Sequence, residues 1–483
     1  MDTRQAFNPY LPSYEYVPDG EPRVFGDRLY VYGSHDQFNG NGFCLNDYVC
    51  WSAPLDDLGN WKYEGVIFRA AQDPANSKGS MHMNAPDCIQ GPDGRYYLYY
   101  QLSALACTSV AVCDTPAGEY QFYGYVEKDG HPYGNKAGEP FCFDPGVLVA
   151  DDGRIWLYVG FSPRSGILKW LMGLRGCQMD GCYCIELEQN MKTVKSDGVM
   201  VVPGPGTSQG TPYEGHGFYE ASSPRLIAGK YYLVYSSILS HELCYAVSEN
   251  ADRGFQYGGT LVSIGDIGYH GRTEANNYTG NTHGGMVEID GQWYIFYHRQ
   301  TNQQKCARQG CAEKIFFEED GSIPQIEMTS CGLNPIPLRG TGTYEARIAC
   351  NMWSRKGTFP YLKTHEKDKR SLHPYFTQSG EDREENPDQY IANMTDGSTA
   401  GFKYFDLKTP KSVTVTLRGT GTGQMVLRLK PDCSPAALFS VHPCVGWSDF
   451  TGIINRPITG IEALYFTYTG KGYVDFKAFT ITE

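Results

Sequence analysis

Four carboxylates and a histidine recur at a nearly constant distance ahead of five turn positions in the first 300 residues. Asp19, Asp87, Asp144, Glu220 and His283 lie 8, 7, 9, 9 and 8 residues before Asp27, Gly94, Gly153, Gly229 and Gly291. One Asp ahead of a strand reads most simply as an Asx turn. Five placements in the same register point instead to a ring of titratable groups around one channel. Carboxylates crowded into a narrow space repel, which lifts at least one pKa toward neutrality and suits that group to general acid catalysis. Glu is longer than Asp and reaches further into such a channel, so Glu220 is the candidate acid.

The elements that must hold this ring follow from the phrase after each turn. Asp27-Arg-Leu-Tyr-Val-Tyr, Gly94-Arg-Tyr-Tyr-Leu-Tyr-Tyr, Gly153-Arg-Ile-Trp-Leu-Tyr-Val, Gly229-Lys-Tyr-Tyr-Leu-Val-Tyr and Gly291-Gln-Trp-Tyr-Ile-Phe-Tyr are spaced 67, 59, 76 and 62 residues apart. Each follows a shorter apolar strand across a Gly/Asp turn, the signal of a β-hairpin. Five hairpins, each with room for two further strands, predict a five-bladed β-propeller over residues 1–330, the innermost strand of each blade lining the channel. The period exceeds the ~40–50 residues of common propeller repeats, so the blades must carry long loops. After Phe317 the pattern stops. Leu333-Asn-Pro-Ile-Pro-Leu-Arg-Gly-Thr-Gly reads as a linker to a second domain, residues 343–483. There a charged, loop-like segment (Lys363 to Glu385) precedes alternating strands such as Ser412-Val-Thr-Val-Thr-Leu and Tyr473-Val-Asp-Phe-Lys-Ala-Phe-Thr-Ile, which predict a β-sandwich of jelly-roll type. The expected fold class is therefore all-β.

Composition narrows the partners. With 41 Lys and Arg against 54 Asp and Glu the chain carries a formal charge of −13, which leaves no cationic surplus for nucleic acid. No run of 18 apolar residues predicts a membrane span. Sixteen cysteines among 483 residues sit mostly beside apolar neighbours, as small buried hydrophobes do in a reducing compartment. The tight group Cys177, Cys182 and Cys184 lacks a paired knuckle and a fourth ligand, so zinc is not expected. Met1 to Gln5 opens without a basic and apolar leader, and the expected location is the cytoplasm.

Several phrases together give a resemblance. Pro18-Asp19-Gly-Glu-Pro22 with Arg28-Leu-Tyr and Ser34-His-Asp36, Ala85-Pro-Asp87, Asp144-Pro145, Glu220-Ala-Ser-Ser, and Asn281-Thr-His283 with Phe296-Tyr-His-Arg299 resemble family 43 glycoside hydrolases. The resemblance implies an inverting β-xylosidase or α-L-arabinofuranosidase acting on xylo- or arabino-oligosaccharides. It implies Asp19 as general base, with Glu21 a rival carboxylate nearby, Asp87 as pKa modulator and Glu220 as general acid. It also implies substrate contacts from His283, Arg299 and Asp36. No cofactor is required for that chemistry, although His283 matches a channel histidine often near a structural calcium. Phe43, Trp51, Phe218 and Tyr269 are candidate stacking surfaces. Residues 343–483 resemble family 6 carbohydrate-binding modules through Gln389-Tyr-Ile-Ala-Asn-Met-Thr-Asp-Gly and Gly472-Tyr-Val-Asp-Phe. A catalytically silent, sugar-binding propeller is the competing reading. A retaining, sucrose-cleaving propeller is a further one, disfavoured because its Trp-Met-Asn-Asp-Pro-Asn opening is missing.

Overall fold

The computed structural model describes residues 4–163, 176–361 and 373–483. All five hairpins form as antiparallel pairs: Glu21–Phe25 with Arg28–Tyr32, Asp87–Gln90 with Tyr96–Tyr100, Gly146–Val149 with Ile155–Val159, Phe218–Ile227 with Lys230–Ser237, and Met286–Ile289 with Gln292–Gln300. Gly94 and Gly153 hold the second and third turns at φ 84° and 81°, a region open to glycine at no steric cost. The first four hairpins continue as meanders into four-stranded sheets, and the fifth stops at three strands, ending with Arg308–Ile315. The N-terminal segment runs along that last strand, Tyr10 N–H donating to Gly310 O at 3.2 Å and Ala312 N–H to Asn8 Oδ1 at 2.8 Å.

Why the second strand of each hairpin carries a continuous run of apolar and aromatic residues becomes clear from its two faces. Tyr97 and Tyr99 pack toward the third sheet, while Leu98 and Tyr100 pack toward the first. Ile155, Leu157 and Val159 likewise face the second sheet, and Trp156 and Tyr158 the fourth. Side chains alternate along a strand, so a strand buried on both faces needs a continuous apolar run. Separate cores lie between sheets one and two, two and three, three and four, four and five, and five and one. The first and fifth sheets meet at the Gly20–Gly284 bridge, so closely that a Cβ on Gly285 would lie 2.4 Å from Glu21 Oε2.

Beyond Leu338 the chain builds two further sheets. One runs in the order Leu338–Arg339, Thr399–Lys408, Thr459–Lys471, Thr422–Arg428, Ala437–Val441, and the other Tyr375–Gln378, Gln389–Met394, Val474–Thr482, Ser412–Gly419, Cys444–Ile453. Val413, Val415 and Leu417 alternate with less buried neighbours and enter one core with Phe402, Phe439 and Phe466 of the other sheet. The segment expected to be a linker is partly strand, since Leu338–Arg339 pairs with Thr399–Lys408. The expected charged loop, Lys363 to Glu385, lies outside the described residues as far as 372. Of its remainder, Tyr375–Gln378 is a strand, and Asp382 and Arg383 dock on loops beside the first sheet: Arg383 Nη1 lies 2.7 and 2.8 Å from the buried Glu15 carboxylate, and Asp382 Oδ1 accepts from Phe38 N–H at 2.7 Å. Asp382 and Arg383 are thus partners in a contact with the N-terminal unit. Cys182 and Cys184 are core residues, and the thiol of Cys177 donates to Gly134 O at 3.0 Å.

Candidate active site

Where the innermost strands of the five sheets begin, a cavity of about 320 Å³ is lined by Asp19, Asp144, Glu220 and His283, with Asn84 and Ala85 standing on the second sheet. Local backbone aims these groups. Asp19 and Asp144 both occupy the left-handed region, at φ 56° and 46°, which a short polar side chain tolerates better than most and which is often found at functional positions. Glu220 sits between two register breaks in Phe218–Ile227, and Ala221 beside it has φ 73°. Such a bulge turns a side chain out of the ladder.

The carboxyls occupy unlike electrostatic settings. Asp19 is 4% exposed, and burial alone would favour its neutral form. That effect is outweighed by Arg308, whose Nη1 donates to Asp19 Oδ1 at 2.8 Å, and by His298 Nδ1 at 3.2 Å from the same oxygen. The Asp19 carboxyl is thereby held well below the usual carboxylate range. Arg308 is itself fixed by Asp36, which accepts from its backbone N–H, Nε and Nη2 at 3.1, 2.8 and 3.0 Å. Glu220 has no such cation in hydrogen-bond contact among the described residues. Burial and the neighbouring Asp144 charge push it up to about 8. Asp144 is also raised, chiefly by burial, against the pull of His283, whose Nδ1 is 3.5 Å from Asp144 Oδ2. Burial opposes the charged form of His283, yet Asp144, Asp19 and Glu21 together lift it to about 9.

Not every expected residue reaches the cavity. Asp87 is completely buried beneath it, where Arg23 Nη2 donates to its two oxygens at 2.8 and 2.6 Å and Val147 N–H to Oδ2 at 2.8 Å. Ala85 takes the cavity position on that strand, and two residues of extended chain carry Asp87 about 7 Å further in. Glu21 belongs to the same deeper layer, bound by Arg225 at 2.9 Å and Ser223 at 3.0 Å. Asp36 touches Arg308 rather than the cavity. Arg299 points to the other unit, donating to Ala349 O at 2.9 Å and Arg347 O at 2.6 Å with its guanidinium 3.7 Å from the centre of the Phe376 ring. The two expected substrate contacts are replaced by a positioning role and a buried interface anchor. Among the expected aromatics only Phe43 lines the cavity, flanked by Lys305 and Arg308 at 5.1 and 4.8 Å from its ring. Trp51 is core, with Nε1 bonded to Glu15, Phe218 is core, and Tyr269 lies elsewhere.

The cavity also takes residues that the repeat did not single out: Phe143, Phe161, Tyr219, Asn281, Lys305, Arg308 and Tyr361. Asp144 was in the repeated register, and only its role was not foreseen. Arg308 carries no sequence signal, because its partners Asp36 and Asp19 are 272 and 289 residues away.

A calcium ion at this site would need oxygen ligands. The carboxylate oxygens nearest His283 are Asp144 Oδ2 and, at 3.9 Å from Nε2, Glu21 Oε1, which has no hydrogen-bond partner among the described residues. These oxygens suit a hard cation, whereas the histidine, protonated near neutrality, could contribute only through water. Among the described residues the one metal-like trio, His216, Glu242 and Cys244, is elsewhere, and its carboxylate is already bonded by His216, Ser237 and Thr260.

Sheets meeting around a cavity, with one carboxyl shifted below and another above the ordinary range, are what a glycosidase of the two-carboxyl kind requires. Residues 15–323 match Glycosyl hydrolases family 43, and the chain belongs to that family. It is 48% identical over 482 residues to a xylosidase/arabinosidase of Thermoclostridium stercorarium, covering 99% of each chain. Its fold is similar to the family 43 enzyme of Xanthomonas citri complexed with xylotriose, with TM-score 0.53 and 23% identity over 67% of this chain and 94% of that one. It is also similar to an arabinoxylan arabinofuranohydrolase of Bacillus subtilis in complex with cellotetraose, with TM-score 0.50 and 18% identity over 98% and 96% of the two chains.

Proposed function

We propose that this enzyme removes xylose or arabinose from short plant cell-wall oligosaccharides with inversion at the anomeric carbon. The observation that carries the reading is the opposed state of two carboxyls in one cavity, Asp19 ionised and Glu220 protonated near neutral pH. In this mechanism Glu220 gives its proton to the glycosidic oxygen as the bond from the anomeric carbon breaks. Asp19 takes a proton from a water attacking the opposite face of the sugar. Arg308 and His298 both engage Oδ1 of Asp19, so Oδ2 remains for that water. One water is consumed, and both carboxyls return to their starting states by exchanging protons with solvent. Asp144, rather than Asp87, serves as the modulator that keeps Glu220 protonated.

The five sheets read as the blades of a five-bladed propeller formed by residues 1–330, and residues 343–483 as a β-sandwich similar to family 6 carbohydrate-binding modules. Five separate inter-sheet cores, including one between the fifth and first sheets, support the first assignment. One core shared by two sheets supports the second. A cavity near the small end of ligand pockets, about 300–1,000 Å³, favours terminal sugars over long chains. Most of the sixteen cysteines are buried, as small hydrophobes of a reducing compartment are, which supports a cytoplasmic enzyme fed by imported oligosaccharides.

The test is hydrolysis of xylobiose and of arabinose-substituted xylo-oligosaccharides, followed by proton NMR of the first-formed anomer. Turnover with inverted product is expected. No hydrolysis of either substrate overturns the enzyme, and retention overturns the mechanism.

A further inference from the structure

Between Arg28–Tyr32 and Tyr48–Pro54 of the first sheet the chain runs from 33 to 47 without strand or helix. This loop supplies Phe43 and Cys44 to the cavity, and Phe43 is partly exposed there. Two of its residues, Asn39 and Cys44, take left-handed backbone at φ 60° and 56°. Asn tolerates that region, whereas Cys is strained in it, and such a conformation persists only where its surroundings fix it. Part of the fixing is internal: Cys44 N–H donates to Asp36 Oδ1 at 3.0 Å, and Asn46 N–H to His35 O at 3.0 Å. The rest comes from the C-terminal unit. Asp382 Oδ1 accepts from Phe38 N–H at 2.7 Å and its Oδ2 from Asn46 Nδ2 at 3.1 Å, so one carboxylate ties both ends of the segment 38–46. Hydrogen bonds to an ionised acceptor are stronger than neutral ones, which suits this group to holding a strained loop. The middle of the loop is tied as well, Asn302 Nδ2 donating to Asn39 Oδ1 at 2.6 Å while Thr377 Oγ1 donates to Asn302 Oδ1 at 3.1 Å.

We propose that Asp382 of the C-terminal unit is a positioning residue for the reaction, its carboxylate closing the loop 38–46 and so holding Phe43 in place as a wall of the sugar site. This inference rests on reading the cavity as a pentosidase site. Without the clamp the loop stands in place for only a fraction of the time, and the free enzyme binds sugar only in that fraction. A bound sugar packs against Phe43 and draws the loop back, so the loss falls on KM and leaves kcat alone. Asp36 lies outside the tied segment, and its backbone N–H keeps its own bond to Tyr16 O at 2.9 Å. Arg308 and, through it, Asp19 therefore stay as they are.

Asp382→Ala and Asp382→Asn in the full chain test it. Two measurements are made on parent and variants: kcat and KM for xylobiose and for an arabinofuranosyl-xylobiose, and alkylation of the native protein by iodoacetamide, read cysteine by cysteine by peptide mass spectrometry. Cys44 is 5% exposed and should label slowly in the parent. In Asp382→Ala, KM for the accepted substrate and the rate of Cys44 labelling should each rise at least about threefold, with kcat within about twofold of the parent. Cys88 and Cys244, buried in cores between sheets, should stay as protected as before. Asp382→Asn still accepts from Phe38 N–H and should fall between the two. An unchanged KM overturns the proposal, as does a fall in kcat as large as the rise in KM. Labelling of Cys88 and Cys244 that quickens together with Cys44 also overturns it, because the variant is then loosened throughout. Should the parent hydrolyse neither substrate, the pentosidase reading fails, and the labelling of Cys44 decides separately whether Asp382 holds the loop.

Discussion

Replacing Asp144 by Asn removes a negative charge beside Glu220 while keeping the side chain's size. Glu220 stands at about 8 against an ordinary 4.5, a rise of 8 − 4.5 = 3.5, with burial the larger cause and Asp144 the second. A charge in contact with a carboxyl ordinarily shifts it by about one to three pH units, the sign set by the charge, and here burial takes the larger share. The alkaline limb of kcat/KM, which reports the acid of the free enzyme, should therefore move from about 8 to about 7. One effect opposes it. Asp144 helps keep His283 protonated, and the positive charge of His283 lowers the Glu220 pKa. The fall becomes smaller the more readily His283 loses its proton in the variant, and Asp19 and Glu21, which also favour its charged form, limit that loss. No acid limb set by Asp19 should enter the assayed range, because Arg308 and His298, the main groups holding Asp19 down, are untouched. The assay is xylose release from xylobiose between about pH 4 and about pH 10. A nitrophenyl glycoside is unsuitable, since its leaving group needs little protonation. An alkaline limb that stays at or rises above the parent value refutes the assignment of Asp144 as the group that keeps Glu220 protonated.

Glu220→Ala should cost about 10²–10⁴ in kcat on xylobiose and much less on nitrophenyl xyloside, and equal losses on both would remove Glu220 from the role of acid. Asp19→Asn should cost at least about 10² on both substrates alike, because attack by water is needed whatever the leaving group. In parallel, Glu21→Gln should show a lower unfolding midpoint and an unaltered pH profile; the reverse pattern would transfer the base to Glu21. Arg308→Met leaves Asp19 and Asp36 buried without their cation and should cost about 3–5 kcal/mol of stability, read by denaturant unfolding. Its pH dependence has a definite sign. Asp19, held below its ordinary 3.8 in the folded protein, contributes stability that is fully present above that value and lost as pH falls. The variant should lose this acid-side slope, and an unchanged slope would show that Arg308 is not its source.

Much of the fold was legible because it is local. A hairpin is a short-range event, written in a turn glycine and an apolar run, and Gly94-Arg-Tyr-Tyr-Leu-Tyr-Tyr marks its strand as plainly as any residue pattern can. The period also placed Asp19, Asp144, Glu220 and His283 at the mouths of their strands, where the cavity opens. The same register misjudged Asp87. An offset of 7 rather than 8 or 9 looks trivial in a sequence, yet side chains on a strand alternate and each residue advances the chain by about 3.3 Å. That difference carries Asp87 past the cavity to Arg23.

Arg299 and Asp36 show a second kind of limit. Both are polar residues close to inner strands, and their types alone are equally consistent with touching sugar, holding another side chain or joining two units. Their neighbours decide the matter: Ala349, Arg347 and Phe376 for one, Arg308 for the other. Residue types and their spacing settled the all-β class, the five hairpins and the candidate acid, because strand pairing and charge repulsion depend on short stretches of chain. The ionised state of Asp19, the nearness of Asp144 to Glu220 and the arrival of Tyr361 at the cavity belong to tertiary structure. They depend on Coulombic and packing contacts between residues hundreds of positions apart, which come together only when the fifth sheet packs on the first and the C-terminal unit docks against them.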